Sequence, residues 1–445
     1  MNEYKVGFIS LGCPKNQVDA ELMLAQLDEA GFEITGTAYE ADVVVINTCG
    51  FIEAAKQEAI DNIFEMVELK NEGDLQAIVV TGCLAQRYKD EILEEIPEVD
   101  AVIGLGDNMN IAEVCRKVLE GEKYSCFPSK YLLPLNGQRL LTTPEHYAYL
   151  KIAEGCSNCC TYCAIPSIRG RYRSREMSDI LDEARALAQS GAKELIIVAQ
   201  DTTKYGIDLY GELRLPQLLR ELSRIEEIKW LRLLYCYPDS ITDELIEEIA
   251  ENDKVCAYLD LPLQHADENV LKRMNRTGTK AELLDLVRKL RRRIPDIVIR
   301  TTFITGFPGE SEEEFNNLAE FVKEAEFDRL GCFAYSAEEG TKAADMPDQV
   351  DEQTKIDRGD IIMQQQFDIF ERKLEEKIGN TYEVVVEGYD GYTDCYFGRS
   401  YMDAPEIDSV VYFTSSVALE DGEFVRIKII NYKDYDLIGE CIDII

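Results

Sequence analysis

Apolar and polar positions alternate in blocks along the first ninety-odd residues. YKVGFISLG, DVVVINTCG and QAIVVTGC are short, β-branched and apolar at nearly every position, as strands covered on both faces are. Each precedes a stretch of helical period: NQVDAELMLAQLDEAG, IEAAKQEAIDNIFEMVELKN and LAQRYKDEILEEI. This alternation predicts a doubly wound parallel sheet covered by helices, in an N-terminal domain over residues 1–130.

Residues 131–145, within YLLPLNGQRLLTTPEH, are rich in Pro, Gly and Thr, lack a helical period and read as a linker. A second alternating region over 146–375 has strand patterns near 147–153, 194–199, 230–235, 256–261, 298–304 and 328–335. Helical segments such as DILDEARALAQSG and AELLDLVRKLRRRI separate them. Six βα units predict a full or partial barrel. A helical segment near 352–378 then leads into YEVVVEGY, SVVYFTSS and EFVRIKIINY, so residues 376–445 read as a small antiparallel β-barrel. The whole chain is α/β, with no fixed-period repeat.

At 445 residues the chain has room for two or three cores. No apolar run is long enough to span a bilayer, and the expectation is a soluble, cytoplasmic protein. A net charge of −38 disfavours non-specific nucleic-acid binding and suits a basic protein partner.

Fourteen cysteines in a long chain of this pattern point to metal or redox chemistry rather than a disulfide framework. Cys115, Cys126, Cys236, Cys256, Cys332, Cys395 and Cys441 stand singly among mostly apolar neighbours and read as inert core residues. Cys156, Cys160 and Cys163 in EGCSNCCTYCAIP have the spacing C-x3-C-x2-C, directly after a strand. Three thiolates in one loop can hold three irons of a cubane and leave the fourth open. A zinc knuckle using the two C-x2-C pairs is the competing reading. It requires the adjacent Cys159 and Cys160 to share one ion, although their side chains diverge. Cys159 also permits the spacing Cys156-x2-Cys159-x3-Cys163.

Cys13, Cys49 and Cys83 are far apart in sequence, but each follows a predicted parallel strand and each has a glycine neighbour (Gly12, Gly50, Gly82). Loops at the carboxyl ends of neighbouring strands open on one crevice, so a second three-thiolate site is expected there. Three buried free thiols are the alternative. The segments AQDTTKYG, YCYP, LPLQH and ITGFPGES lie at carboxyl ends of the later strands, the active face of a barrel. They make Gln200, Asp201, Gln264 and His265 candidates for substrate or cofactor contacts, with a core role favoured for His265. In the last segment Ser311 reads as a helix cap.

The C-x3-C-x-aromatic-C loop, with Tyr162 at the aromatic position, resembles the radical S-adenosylmethionine superfamily. Together with the strand-end cysteines and the terminal β-module, it resembles the methylthiotransferase family along essentially the whole chain. The resemblance implies a partial (β/α)6 radical barrel, a C-terminal TRAM-like module and two 4Fe-4S clusters. Cys156, Cys160 and Cys163 would hold the radical cluster; Cys13, Cys49 and Cys83 would hold an auxiliary one. S-adenosylmethionine would serve as both methyl and radical source, contacted by Tyr162, Ile165, Gln200, Gln264, Gly306 and Gly309. No residue is assigned a catalytic role beyond the cluster ligands, because the sequence offers no classical acid–base pair and this chemistry needs none.

SLGCPKNQVDAE, INTCGFIEAAKQE, VTGCLAQRY and WLRLLYCYP look like the branch that methylthiolates the β-carbon of an aspartate in small-subunit ribosomal protein S-twelve. The branch acting on tRNA adenosine usually has a different residue pair after the first cysteine. From Glu376 to Ile445 there are fifteen Asp/Glu against five Lys/Arg, a balance that suits a basic ribosomal protein better than RNA. Expected partners are therefore that protein and an electron-donor protein, with no membrane and no RNA. Methylthiolation of a tRNA anticodon-loop adenosine and a non-catalytic iron–sulfur scaffold or redox sensor are the rival functions.

Overall fold

The computed structural model describes residues 4–89 and 91–445. The first three positions of the predicted N-terminal domain lie outside the described residues, as does Asp90 within the predicted helix LAQRYKDEILEEI.

Six parallel strands form the first sheet: β1 (Lys5–Ser10), β2 (Glu33–Thr35), β3 (Val43–Thr48), β4 (Ala77–Gly82), β5 (Ala101–Ile103) and β6 (Tyr124–Cys126). Their order is β2-β1-β3-β4-β5-β6, so the order in which successive strands are added switches sides at the parallel pair β1 and β3. β3 and β4 are buried at every position, which is why they read as continuous apolar runs. Helix Pro14–Glu29 begins with Pro14, whose fixed φ suits a first helical turn. The stretch predicted as LAQRYKDEILEEI is two helices, Cys83–Tyr88 and Glu91–Glu95, because Lys89 leaves the helical region with φ 48°.

The second sheet uses β7 (Tyr147–Lys151), β10 (Glu194–Val198), β11 (Trp230–Leu233), β12 (Val255–Asp260), β13 (Val298–Thr305) and β14 (Arg329–Ala334); β8 (Ala153–Glu154) and β9 (Arg173–Ser174) form a separate antiparallel ribbon after β7. Order β14-β13-β12-β11-β10-β7 is parallel throughout and does not close, giving a partial six-stranded barrel. Leu150, Leu195, Ile197, Leu231, Leu259 and Ile299 meet the outer helices.

The opposite, inner face presents Tyr147, Tyr149, Ile196, Trp230 and Tyr258 to residues of the C-terminal module. That module is a closed barrel of β15 (Thr381–Asp390), β16 (Cys395–Ser400), β17 (Val411–Thr414), β18 (Phe424–Lys433) and β19 (Asp436–Ile444). Four of its joints are antiparallel and β17–β19 is parallel. It therefore plugs the open side of the larger barrel. Charge is buried in the seam: Glu194 accepts from Arg232 at 2.6 Å and from Arg399 at 2.8 Å.

The linker is pinned rather than loose. Arg139 donates to Glu21 of the first domain and to Glu183 of the second, and Thr142 also bonds Glu21. Among the described residues no helix is long and apolar enough to cross a membrane.

Candidate active site

β1, β3 and β4 are neighbours, so the loops that follow them adjoin. Cys13 caps the helix after β1, Cys49 follows β3, and Cys83 opens the helix after β4. Glycines set the spacing. A Cβ on Gly12 (φ 99°) would lie 2.8 Å from Cys49 Cβ, and one on Gly50 would lie 2.8 Å from the backbone of Leu84. Gly82 has φ 95° and ψ −159°, a region essentially closed to other residues, and a Cβ there would meet Thr48 O at 2.4 Å. Gly82→Ala is accordingly expected to cost about 2–4 kcal/mol and to release iron from the strand-end site. Gly121→Ala, also at positive φ but with open space around it, should cost only about 1 kcal/mol; thermal denaturation and iron analysis of both variants provide the check.

The three strand-end thiols feel one another. Burial pushes Cys83 up to about 12, offset in part by Arg169, while the Cys49 and Cys13 thiolates push it further. Burial also raises Cys49. For Cys13 burial is outweighed by Lys15, by Arg169 and by the backbone N–H groups of Asn16 and Lys15, so its thiol lies below the ordinary range. One edge of this site is thus already prepared to carry negative charge.

The second triad lies on the loop between β8 and β9, at the carboxyl end of the partial barrel. Burial raises Cys156 to about 11 and Cys163 to about 12, while N–H groups of Asn158 and Ile165 favour their thiolates. Thr161 ties the loop down by donating to Met274 O at 3.0 Å and accepting from Ala343 N at 2.9 Å. Tyr162 OH accepts from Arg276 at 3.4 Å, and Arg276 lies 4.2 Å from the Tyr237 ring centre and donates to Pro262 O. Cys159 stands apart, exposed, at φ 54°, with its carbonyl held by Asn275.

Ile165 supplies the N–H that faces Cys163. Gln200 donates to Glu154 at 3.0 Å, and the fully buried Asp201 holds Asn158 of the cysteine loop at 2.8 Å. Gln264 takes a left-handed conformation (φ 70°) and bridges to β13 through Thr302 O and Ile304 N. His265 is wholly buried; its Nδ1 accepts from Asp267 N at 3.0 Å, while Nε2 lies 3.3 Å from a Glu310 carboxylate oxygen without a hydrogen bond between them. Gly306 and Gly309 both have positive φ; Gly306 packs so closely on Lys355 that a Cβ would fall 2.1 Å from Lys355 Cγ. Ser311 caps helix Glu312–Ala325 in a reciprocal capping box with Glu314.

The two thiol sites face each other. Cys83 packs with Ala164, the residue after Cys163, and with Ile168 on the short helix Ile165–Arg169 that follows. Arg169 reaches across the domain boundary, donating to Asp19 at 2.8 Å, Glu154 at 3.0 Å and Asn16 at 3.1 Å. Lys151 joins Asp19 and Glu154 in the same buried group, and Glu154 also accepts from Gly155 N, next to Cys156. Burial alone would raise the Glu154 carboxyl, but Arg169 and Lys151 hold it well below the usual range. On the far side Arg87 and Lys56 clamp Glu338 of the loop after β14, with Arg87 also holding Gly50 O.

The sequence reading did not single out Asp19, Lys151, Glu154 or Arg169. The available signal was a charge on nearly every side of a helix that has almost no polar face: Lys15, Asp19 and Glu21 of Pro14–Glu29 are all buried. Cys115, Cys236 and Cys256 are core residues as expected, whereas Cys126, Cys332, Cys395 and Cys441 are only partly buried: the first two lie on the edge strands β6 and β14, the last two at partly exposed positions of β16 and β19 in the terminal barrel.

Both triads suit a cubane. Among the described residues no three His, Cys, Asp or Glu side chains converge as ligands of one ion. Cubane ligands need not do so, since each thiolate binds a different iron. What each site does provide is three thiols on tight loops, N–H groups aimed at sulfur and cations nearby.

The chain matches the description "Uncharacterized protein family UPF0004" over residues 5–104, the Radical SAM superfamily over 150–322 and the TRAM domain over 378–442. It is 54% identical over 436 residues to the ribosomal protein uS12 methylthiotransferase RimO of Caldanaerobacter subterraneus subsp. tengcongensis, spanning 98% of this chain and 99% of that one. The protein of the same name from Acetivibrio thermocellus is 52% identical, covering 99% and 98%. Among solved structures, the radical S-adenosylmethionine methyltransferase TsrM from Kitasatospora setae, with cobalamin and a [4Fe-4S] cluster bound, superposes with a TM-score of 0.58 at 15% identity over 75% of each chain. The cobalamin-dependent radical enzyme OxsB gives 0.51 at 13% identity, over 83% of this chain and 56% of that one. These last two likenesses are of fold.

Proposed function

We infer the reaction from one premise: the chain belongs to the family of ribosomal protein uS12 methylthiotransferases, with which it shares half its residues along nearly its whole length. It is a radical S-adenosylmethionine enzyme that methylthiolates an aspartate of uS12. The loop cysteines would hold a 4Fe-4S cluster, which with S-adenosylmethionine would supply the radical chemistry at the aspartate β-carbon; a second S-adenosylmethionine would supply the methyl group.

Cys156, Cys160 and Cys163 are the ligands we assign to that cluster, and Cys13, Cys49 and Cys83 those of a second, auxiliary cluster where sulfur is delivered. The observation that supports this reading is the Arg169 bridge: it acts on the Cys83 thiol, bonds Asp19 and Asn16 of the first domain, and bonds Glu154 at the entry to the cysteine loop. Proximity of this kind makes transfer between the two sites an intramolecular step. Tyr162, Gln200, Gln264, Gly306 and Gly309 on loops, and Ile165 at the start of the short helix Ile165–Arg169, lie at the barrel's carboxyl end, where S-adenosylmethionine would bind. We assign Cys160 rather than Cys159 as the middle ligand because Cys159 is exposed while Cys160 acts on both Cys156 and Cys163. Cys159→Ala is expected to retain 5′-deoxyadenosine formation within about twofold. Cys160→Ala should lose more than about a hundredfold, beyond the cost of removing an outer-sphere partner.

The terminal barrel supports a protein substrate. Of its five Lys/Arg residues, Arg399 is buried on Glu194 and Glu387, which leaves an acidic surface suited to a basic ribosomal protein and unsuited to RNA. A ribosomal substrate supports a cytoplasmic location, and an electron-donor protein is needed to start each radical cleavage. The test is anaerobic incubation of reconstituted protein with an equimolar mixture of uS12 peptide and anticodon stem-loop RNA. The methylthio mass should appear on the peptide; its appearance on RNA alone would overturn the assignment.

A further inference from the structure

Among the described residues Lys15 is a crevice cation that faces the Cys13 thiol yet has no carboxylate partner of its own. It is 6% exposed, and its Nζ sits 3.0 Å from the centre of the Tyr235 ring, just past the end of β11. The side chain thus crosses from the loop of Cys13 to the carboxyl ends of the barrel strands. Tyr235 is itself held at φ 60°, an unfavourable conformation for an aromatic residue. A lysine ammonium has three donors, and among the described residues Lys15 Nζ makes no hydrogen bond and no ion pair.

The neighbouring carboxylates are all engaged elsewhere. Asp19 and Glu154 are shared by Lys151 and Arg169. Asp260 accepts from Arg300 at 3.0 Å and from Tyr235 N at 2.9 Å. An ammonium with a ring at one side and the Cys13 thiol nearby, but no hydrogen-bond acceptor in reach, has donors left to satisfy, and an arriving carboxylate would satisfy them.

We propose that Lys15 receives the carboxylate of the target aspartate and so fixes its β-carbon between the two thiol triads. The proposal rests on the uS12 aspartate being the substrate, and its chemistry follows from that residue. In aspartate the carboxylate carbon is bonded directly to the β-carbon, so anchoring one places the other within a bond length of a defined point. A basic substrate chain would also offer few other groups able to occupy this amine, giving selection of a single acidic residue.

The test uses holoenzyme without reductant, so that no turnover occurs, and two peptides: one spanning the target aspartate of uS12, the other identical but with asparagine at that position. Wild-type protein should bind the aspartate peptide about tenfold to a hundredfold more tightly by fluorescence anisotropy, the range expected for a buried charged hydrogen bond. Lys15→Gln should erase that preference at unchanged iron content and leave the affinity for the asparagine peptide as it was. Equal binding of the two peptides by wild type overturns the proposal and needs no variant. A preference that survives in Lys15→Gln also overturns it; if the variant's electron paramagnetic resonance spectrum has changed, Lys15 is instead a counter-charge to the Cys13 thiolate. A wild-type enzyme that neither binds nor methylthiolates the aspartate peptide removes the substrate reading, and this proposal with it.

Discussion

Replacing Cys13, Cys49 and Cys83 together with alanine is expected to halve the iron content, to abolish methylthio transfer and to leave 5′-deoxyadenosine formation within about threefold of wild type. The separation follows from the architecture. The three residues belong to loops of one sheet, while the loop triad is held by its own contacts to Met274, Ala343 and Arg276, none of which involves the N-terminal domain. Cys83 is the one of the three that is fully buried; its truncation removes contacts with Leu105 and Ile168 at a cost of about 1 kcal/mol, too little to unfold either domain. Iron analysis and product chromatography on the same preparation decide the matter. Simultaneous loss of both activities would mean that the two sites do not divide the chemistry as assigned.

Glu194→Ala is expected to destabilise the protein by about 3–5 kcal/mol, the largest effect we anticipate from any substitution away from the thiols. Glu194 is 1% exposed and accepts from two guanidinium groups, Arg232 and Arg399, which come from the partial barrel and the terminal barrel respectively. Removing it leaves both cations buried; the Glu387 carboxylate that Arg399 also reaches and the carbonyls of Ser400, Tyr401 and Asp403 remain as partners, without restoring the lost charge beside Arg232. The seam between the barrels should then open first, seen as early proteolysis near residue 376 and a lowered urea midpoint. Replacing Glu194, Arg232 and Arg399 together by apolar residues should recover much of the loss, since the pairing mainly offsets its own desolvation. The sign with pH is set by the carboxyl: burial opposes ionisation, but Arg232 and Arg399 hold Glu194 below its ordinary range. Its stabilising contribution is therefore complete above the ordinary glutamate value of about 4.3 and is lost as pH falls below that, through the depressed folded-state value.

Much of this fold was legible because its central strands are buried on both faces. β3, β4, β7, β10 and β11 are buried at every position and β12 at all but one, whereas β1, β13 and β14 are partly exposed and were read from their mostly apolar residues between helical segments. β2, β5 and β6 do not, since three residues carry no period, and neither do β16 and β19, whose outward faces are polar. The parallel β17–β19 joint is a matter of closure, not of local pattern. For the site, cysteines at strand ends pointed to convergence because sheet topology brings the loops of adjacent strands together. The charges that join the two thiol sites were hidden for the opposite reason. Asp19, Lys151, Glu154 and Arg169 look like ordinary polar residues in sequence, and only the docking of one domain on the other buries them as a neutral group. Lys15 escaped notice in the same way, as one basic residue beside a cysteine.

The most direct test of two clusters sharing one crevice is the electron paramagnetic resonance spectrum of the anaerobically reconstituted, reduced wild-type protein. Two cluster signals broadened by mutual spin coupling are expected, with the coupling lost when either Cys13, Cys49 and Cys83 or Cys156, Cys160 and Cys163 are replaced. A fully loaded wild-type protein that shows a single cluster signal, or two signals without coupling, would contradict the shared crevice.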